Sequence, residues 1–330
     1  MSQPPEIPKR QNAGFFSRAS VFTLPVGSFV QPAGVGGYYI DLRVKAGVPR
    51  WPDPELEGDP RFIAVGQWGL GAYERHLHGE PGPWLDAALA AGREVVTAQR
   101  EDGGLPEPEL RPHTFPVEPP WLSAMAQGQC ASLLVRLYRE TGENAYAETA
   151  RRALEPMRRP VSEGGVAAPL GKGWWPEEYP SQPHSYVLNG GIFALWGIRD
   201  VAVGLGDEAA AALFEEGLAT LAAEIERWDT GYWSRYDLFP HPLLNVASSS
   251  YHVLHVHQLD ALNLIAPRPE LAEAARRWRG YLDSPTNARR AFVRKAAFRL
   301  VVPRNRLLAG RLPWLRHDQR GKTSARDPEA

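Results

Sequence analysis

The chain has almost no cysteine. Cys130 is the only one in 330 residues, which excludes an intrachain disulfide and any zinc site built on several thiolates. Long apolar runs are missing too. None approaches the ~20 residues that cross a bilayer, and residues 1–30 lack the basic-then-apolar order of a secretory signal, so a cytoplasmic chain is the expectation. There is no Gly-rich phosphate loop, no G-x-S-x-G elbow and no zinc-protease helix. The run GVGG (34–37) precedes an extended segment instead of following one, so it does not suggest a dinucleotide site. Net charge is close to zero, at −1 from 37 Lys+Arg and 38 Asp+Glu. No cofactor, no metal and no nucleic-acid partner is expected.

What is present is an ordinary globular balance, 43% hydrophobic and 23% charged, long enough for one large domain or two smaller ones. The charge is unevenly placed. Residues 289–330 carry 12 Lys/Arg and three acids, a tail of +9 on a body of −10. A basic tail suits an anionic surface or ligand.

Residues 1–35 are rich in Pro and Gly and read as an arm. Tyr38, Ile40, Leu42 and Val44 alternate with Tyr39, Asp41 and Arg43, which predicts a short strand. Helical periodicity then dominates over 61–78, 84–100, 121–141, 143–157, 186–203, 207–228, 251–265 and 270–282. Long loops are expected over 102–120, 160–184 and 229–249. Helices in pairs predict antiparallel α-hairpins packed side by side. The expected organisation is an arm with a short β element over 1–59, a helical domain over 60–285 and a basic tail over 286–330. In the tail, residues 288–302 place Phe292, Ala296 and Leu300 on one helix face, with Val293 and Ala297 beside them. Arg290, Arg294 and Lys295 lie towards the other side, and Leu307, Leu308, Leu312, Trp314 and Leu315 follow among more arginines. This interleaving fits a helix lying on an anionic membrane. It also fits a helix packed on the body whose cations guide an acidic polymer, or a solvated tail.

Long ordered loops are usually functional. The second and third loops add Trp and Tyr, whose flat rings suit sugar faces; the other reading is that they plug the core. Tyr251, His255 and Gln258 fall at i, i+4, i+7 on one helix face. A phenol, an imidazole and an amide together line a cleft or form a satisfied buried network. His252, His255 and His257 do not make a metal set, because His257 points away from the other two.

The segments SAMAQGQ (123–129), EEYP (177–180), VLNG (187–190), DTG (229–231), YDL (236–238), YHVLHVHQL (251–259) and RRWRGYL (276–282), in this order, resemble the C-terminal catalytic region of D-glucuronyl C5-epimerases, the enzymes of heparan sulfate maturation and their bacterial relatives. FIAVGQWGLGAYERHL (62–77) is a weaker match. The resemblance implies a mainly α fold, an (α/α) toroid of helix pairs. It also places Glu178, Tyr179, Tyr236 and Tyr251 at the family's catalytic positions. The reaction removes the hydrogen at C5 of a uronate, α to its carboxylate, and returns a proton from the opposite ring face. It needs an acid, a base and donors to spread the developing charge. On this reading Tyr251 and the Glu178/Tyr179 pair approach opposite faces of C5, and Tyr236 assists one of them or binds the carboxylate. Gln127, Gln129, Asn189, His252 and His255 are candidate donors to the sugar. The family has an arginine three residues after the YDL tyrosine. Phe239 stands there in this chain, with Arg235 as a substitute. The implied partners are a glucuronate-containing polysaccharide, such as a heparosan-like chain, or a lipid-linked glycan. Vertebrate relatives dimerise, so a homodimer is among the expectations. The alternatives are a uronate lyase, a glycoside hydrolase using two of Glu177, Glu178 and Asp237, or a non-catalytic binder of acidic glycans.

Overall fold

The computed structural model describes residues 36–47, 62–107 and 114–303. Among them the chain is mainly helical, as expected. Helix α1 is Phe62–Leu77 and α2 is Trp84–Ala98. The pair α3 (Ala124–Thr141) and α4 (Asn144–Arg152) follows, with a short turn α5 (Glu155–Arg158). Next come α6 (Leu188–Leu205), α7 (Glu208–Glu224), α8 (Ser249–Ile265), α9 (Pro269–Leu282) and α10 (Pro285–Val301). Helices α1, α3, α6 and α8 pack in an inner row, backed by α2, α4, α7 and α9 respectively. None of the described helices is long and apolar enough to cross a membrane.

Two helices of the inner row, α3 and α6, are enclosed on nearly every side. Residues 124–137 of α3 and 188–201 of α6 are buried without interruption, the pattern of a helix enclosed on every side. Gly128 and Gly197 set the distance between these two. A Cβ on Gly128 would sit 2.6 Å from Ala194 Cα, and one on Gly197 2.5 Å from the Gly128 carbonyl carbon. Only glycine lets the backbones touch. The start of α3 is fixed by Ser123, whose Oγ accepts a hydrogen bond from Ala126 N.

The expected N-terminal strand does not form. Residues 36–44 are irregular and end in a 3-10 turn, Lys45–Gly47. Tyr38, Tyr39, Ile40 and Leu42 are all buried and Val44 is exposed, so alternation fails at both ends. The physical reason is that the backbone finds side-chain partners instead of a second strand. Glu74 accepts from Tyr38 N, and Arg136 donates to the carbonyls of Gly36 and Gly37. Arg136 also pairs with Asp200 at 2.6 Å, and Tyr39 donates to the same carboxylate at 2.6 Å. The arm over 1–35 and the tail beyond 303 lie outside the described residues.

The β structure lies instead between helices. Strands β1 (Pro106–Glu107) and β2 (Trp121–Leu122) pair antiparallel, so α3 begins three residues later than the periodicity predicts. Strands β3 (Ala167–Leu170) and β4 (Gly173–Pro176) form a hairpin inside the expected second loop. The loop tryptophans mostly plug the core. Trp175 is fully buried, tilted 5.2 Å from Trp228, and Trp233 stacks on His252 at 3.9 Å. Helix α10 packs on α8 and α9, with Ala291 in a cluster with Trp233 and Val246 and the Phe298 ring edge-on to His241 at 5.0 Å. The boundary expected at residue 285 therefore falls at the start of a packed helix.

Candidate active site

The peptide that leaves β4 crosses to the first turn of α6 and carries two adjacent glutamates with different tasks. Glu177 is a bracket. Its carboxylate accepts from the backbone N–H groups of Ser185 and Tyr186 and from the Ser185 hydroxyl. Its own N–H and C=O bind Val166 and Ala124. Burial pushes it up to about 8. The bracket holds Tyr186 at φ 49°, a backbone conformation costly for a side chain with a Cβ. Every direction Glu177 offers is engaged, which removes it from any pair of hydrolytic carboxylates.

Glu178 points elsewhere. It is 4% exposed and lies against Gly190 in the first turn of α6. A Cβ there would fall 2.5 Å from Glu178 Cβ and 2.7 Å from its Cδ. The turn needs glycine because the carboxyl occupies the space. Burial pushes Glu178 up to about 7, against a hydrogen bond from the Tyr179 phenol. A carboxyl in that range exchanges a proton readily at neutral pH. Tyr179 stands far above its ordinary value because of burial, with the charges of Glu178 and Tyr251 adding to it. Its ring stacks on Phe115 at 5.1 Å and lies 5.2 Å from Trp121.

Tyr236 and Tyr251 complete the cluster. The Tyr236 backbone is held at both ends, its N–H by Asn245 and its C=O by the N–H of Leu188. That second bond ties the 229–249 loop to the same helix turn that Glu178 touches. Tyr251 sits in the first turn of α8, where the Ser248 hydroxyl accepts from its N–H. The two rings meet edge to face at 4.9 Å. With Phe115, Val187, Tyr179 and Phe239 they form one aromatic cluster. All four residues expected to be catalytic are therefore brought together from three separate stretches of chain.

The expected donors divide. Asn189 and Gln258 tie α6 to α8. Gln258 donates to the Asn189 carbonyl at 3.0 Å, while Asn189 Oδ1 and Gln258 Oε1 have no protein partner, as is also true of Glu178 Oε2 and His255 Nε2. Buried polar atoms are rarely left so, and these four belong to residues around the α6 turn and the inward face of α8. His255 and Gln258 are fully buried, so this face of α8 is a buried polar network in which these atoms stay unpartnered. His255 is kept neutral by burial, reinforced by His252 and Lys295.

Gln127, His252 and Gln129 are placed otherwise. Gln127 accepts from Leu105 N and donates to the carbonyls of Gly103 and Ala153. It staples two loops and has no donor left for a sugar. Burial holds His252 down to about 4. Its Nδ1 accepts from Ser234 N, which leaves Nε2–H to donate to the Trp278 carbonyl at 3.0 Å. Both nitrogens serve the fold. Gln129 is buried beside Tyr38, in the cluster that pins the N-terminal segment.

Arg235 does not join the tyrosines. Its charged neighbours are Asp237 and Arg227. The cation at the cluster is Lys295 of α10, 5.4 Å from the Tyr236 ring centre. It is oriented by Asn245 Oδ1 at 2.7 Å and the Val246 carbonyl at 2.8 Å. Sequence reasoning set Lys295 among the tail cations. The signal available was its spacing from Ala291 and Phe298, at i−4 and i+3, which marks a buried stripe.

A family model described as the D-glucuronyl C5-epimerase C-terminus matches residues 109–280. The chain is 30% identical over 243 residues to a protein of Caenorhabditis elegans named D-glucuronyl C5-epimerase, covering 68% of this chain and 39% of that protein. It is 32% identical over 146 residues to an uncharacterized protein of Methanocaldococcus jannaschii, covering 43% of this chain and 46% of that one. The aligned segments thus span less than half the length of either relative. The matched family region contains Glu178, Tyr179, Tyr236 and Tyr251 and ends before Lys295.

Proposed function

The chain belongs to the D-glucuronyl C5-epimerase family, and from that premise we propose that it inverts C5 of D-glucuronate residues in an acidic glycan to give L-iduronate. The observation that carries the proposal is the meeting of Tyr179, Tyr236 and Tyr251 in one aromatic cluster, with the buried Glu178 carboxyl hydrogen-bonded to Tyr179. A carboxyl near 7 hydrogen-bonded to a phenol is a proton relay at neutral pH. One group, Glu178/Tyr179 or Tyr236/Tyr251, takes the C5 hydrogen as a proton. The C5–H electron pair moves into the adjacent carboxylate as an enediolate, and the other group returns a proton from the opposite face. Neither C4–O nor the glycosidic bond breaks.

The developing dianion needs positive charge and donors. Lys295 takes the place that Arg235 was expected to fill. It lowers the cost of a phenolate at Tyr236 or of charge on the substrate carboxylate. Asn189, Gln258 and His255 carry unpartnered buried polar atoms. The glycan is a glucuronate polymer or its lipid-linked precursor.

The test is incubation of glucuronate polymers in D₂O with analysis of the products. Deuterium at C5 in polymer of unchanged length supports an epimerase. New ultraviolet absorbance from a conjugated uronate would make the protein a lyase. New reducing ends without unsaturation would make it a hydrolase, and binding without any of these a lectin-like module.

A further inference from the structure

Helix α10 lies beyond the matched family region, and its outer face has no role in the cluster above. From Pro285 to Pro303 there are five cations (Arg289, Arg290, Arg294, Lys295, Arg299) and no acid. Ala291, Lys295 and Phe298 face the body. The opposite side is apolar and open to solvent: Phe292 is 63% exposed, Val293 60% and Leu300 81%. These are the three most exposed large apolar side chains among the described residues, and they share one helix. With Ala296 they fall within about 100° of arc. Single exposed apolar residues are ordinary, but a contiguous stripe marks an interaction surface.

Beside the stripe runs a groove of about 760 Å³ between α10 and the 230–244 segment. Arg289, Arg290 and Arg294 line it, together with Thr230, Tyr232 and Leu244, and no acid does. The Arg290 guanidinium carbon lies over the Tyr232 ring, 3.9 Å from its centre, which holds one cation in place at the rim. Forked donors of this kind suit phosphate oxygens.

We propose that this face of α10 seats the protein on an anionic phospholipid surface, with the stripe entering the acyl boundary and the arginine groove receiving a headgroup phosphate. Charge decides between occupants. Residues 304–330 carry seven Lys/Arg against three acids and residues 1–35 carry three against one, so neither flanking segment complements a basic face. An acidic polymer alone matches the groove and leaves the apolar stripe in water. A bilayer of anionic lipid matches both. The inference stands independently of the epimerase reading.

The test is sedimentation of the full chain with vesicles of phosphatidylcholine alone and of phosphatidylcholine with 30% phosphatidylglycerol, at low and high salt. Binding only to the anionic vesicles, weakened by salt, is expected. In the double variant Arg289→Gln/Arg294→Gln the partition coefficient should fall about 30-fold, roughly five-fold for each cation removed. In Phe292→Ser/Leu300→Ser it should fall at least about tenfold. All four positions are exposed, so folding is kept, and circular dichroism checks it. Equal binding to neutral vesicles, no binding to anionic ones, or binding untouched by both variants overturns the proposal. So does free inorganic phosphate or a soluble acidic polysaccharide binding the groove while vesicles do not, or a dimer in solution that the serine variant splits.

Discussion

Replacing Gly190 with Ala should stop the chemistry while sparing the fold. The new Cβ would lie 2.5 Å from Glu178 Cβ and 2.7 Å from Cδ, both closer than unbonded carbons approach. One side must move, and α6 is buried over its first fourteen residues, so the Glu178 segment yields. Overpacking of this size costs about 1–3 kcal/mol. Ala returns up to ~1 kcal/mol of helix propensity over Gly, leaving a net loss of roughly 0–2 kcal/mol. That is a fall of a few degrees in melting temperature. A displacement approaching 1 Å at a proton-transfer group costs about 10²-fold in rate. The assay is C5 deuterium exchange beside a thermal melt, with Gly280→Ala on α9 as control, since nothing lies within 4 Å of that Cβ. The control should be as active as the parent. Parental exchange in Gly190→Ala would refute the claim that Glu178, held against this turn, does the chemistry.

Other substitutions separate chemistry from structure. Tyr251→Phe should lower exchange at least ~10²-fold with a stability change of ~1 kcal/mol, since one hydroxyl is lost; parallel losses of fold and activity would make it a packing residue. Lys295→Met should reduce kcat and move upward whichever limb of the pH–rate profile Tyr236 sets, the acidic limb if it is the base and the basic limb if it is the acid, because the ammonium no longer favours its charged form; an unchanged profile removes Lys295 from the site. Stability measured in denaturant should fall as pH rises from about 6.5 to 8. Glu74, Glu177 and Glu178 are raised to about 8, 8 and 7 from 4.5, so the folded state binds more protons than the unfolded state in this window; below 6.5 the depressed His252 and His255 oppose the trend, because there the unfolded state binds protons that the folded histidines do not. Each carboxyl contributes a slope of up to ~1.4 kcal/mol per pH unit. Glu74→Gln removes one contributor outside the cluster and should flatten the slope without changing exchange.

Helix identity was legible in the outer row because α2 and α9 bury one stripe at helical spacing, Ala88, Ala91, Gly92 and Val95 in one and Leu271, Ala274, Ala275 and Trp278 in the other. The strand over Tyr38–Val44 was misread for a physical reason. Alternation reports which residues seek burial, and it cannot report that Arg136 and Glu74, far along the chain, take the backbone groups a partner strand would need. The β3–β4 hairpin was hidden by its composition, since Gly171 and Gly173 read as loop. The tyrosines and Glu178 came from the order of short motifs. Gln127 and His252 belong to the same motifs, yet serve backbone hydrogen bonding. A motif marks residues that a site depends on and does not separate those that touch substrate from those that hold the walls. Lys295 was missed because a cation in a basic helix resembles its neighbours until the buried stripe of Ala291 and Phe298 is recognised.

The central claim is that two separate groups serve the two faces of C5. The position of deuterium after the first turnovers in D₂O tests it most directly. With Glu178/Tyr179 on one face and Tyr236/Tyr251 on the other, the proton delivered comes from a different group than the one that received the hydrogen. Early iduronate residues should then carry deuterium at C5 while recovered glucuronate residues still carry protium. Iduronate that keeps the original protium would mean that a single group removes and returns it, and would contradict the account.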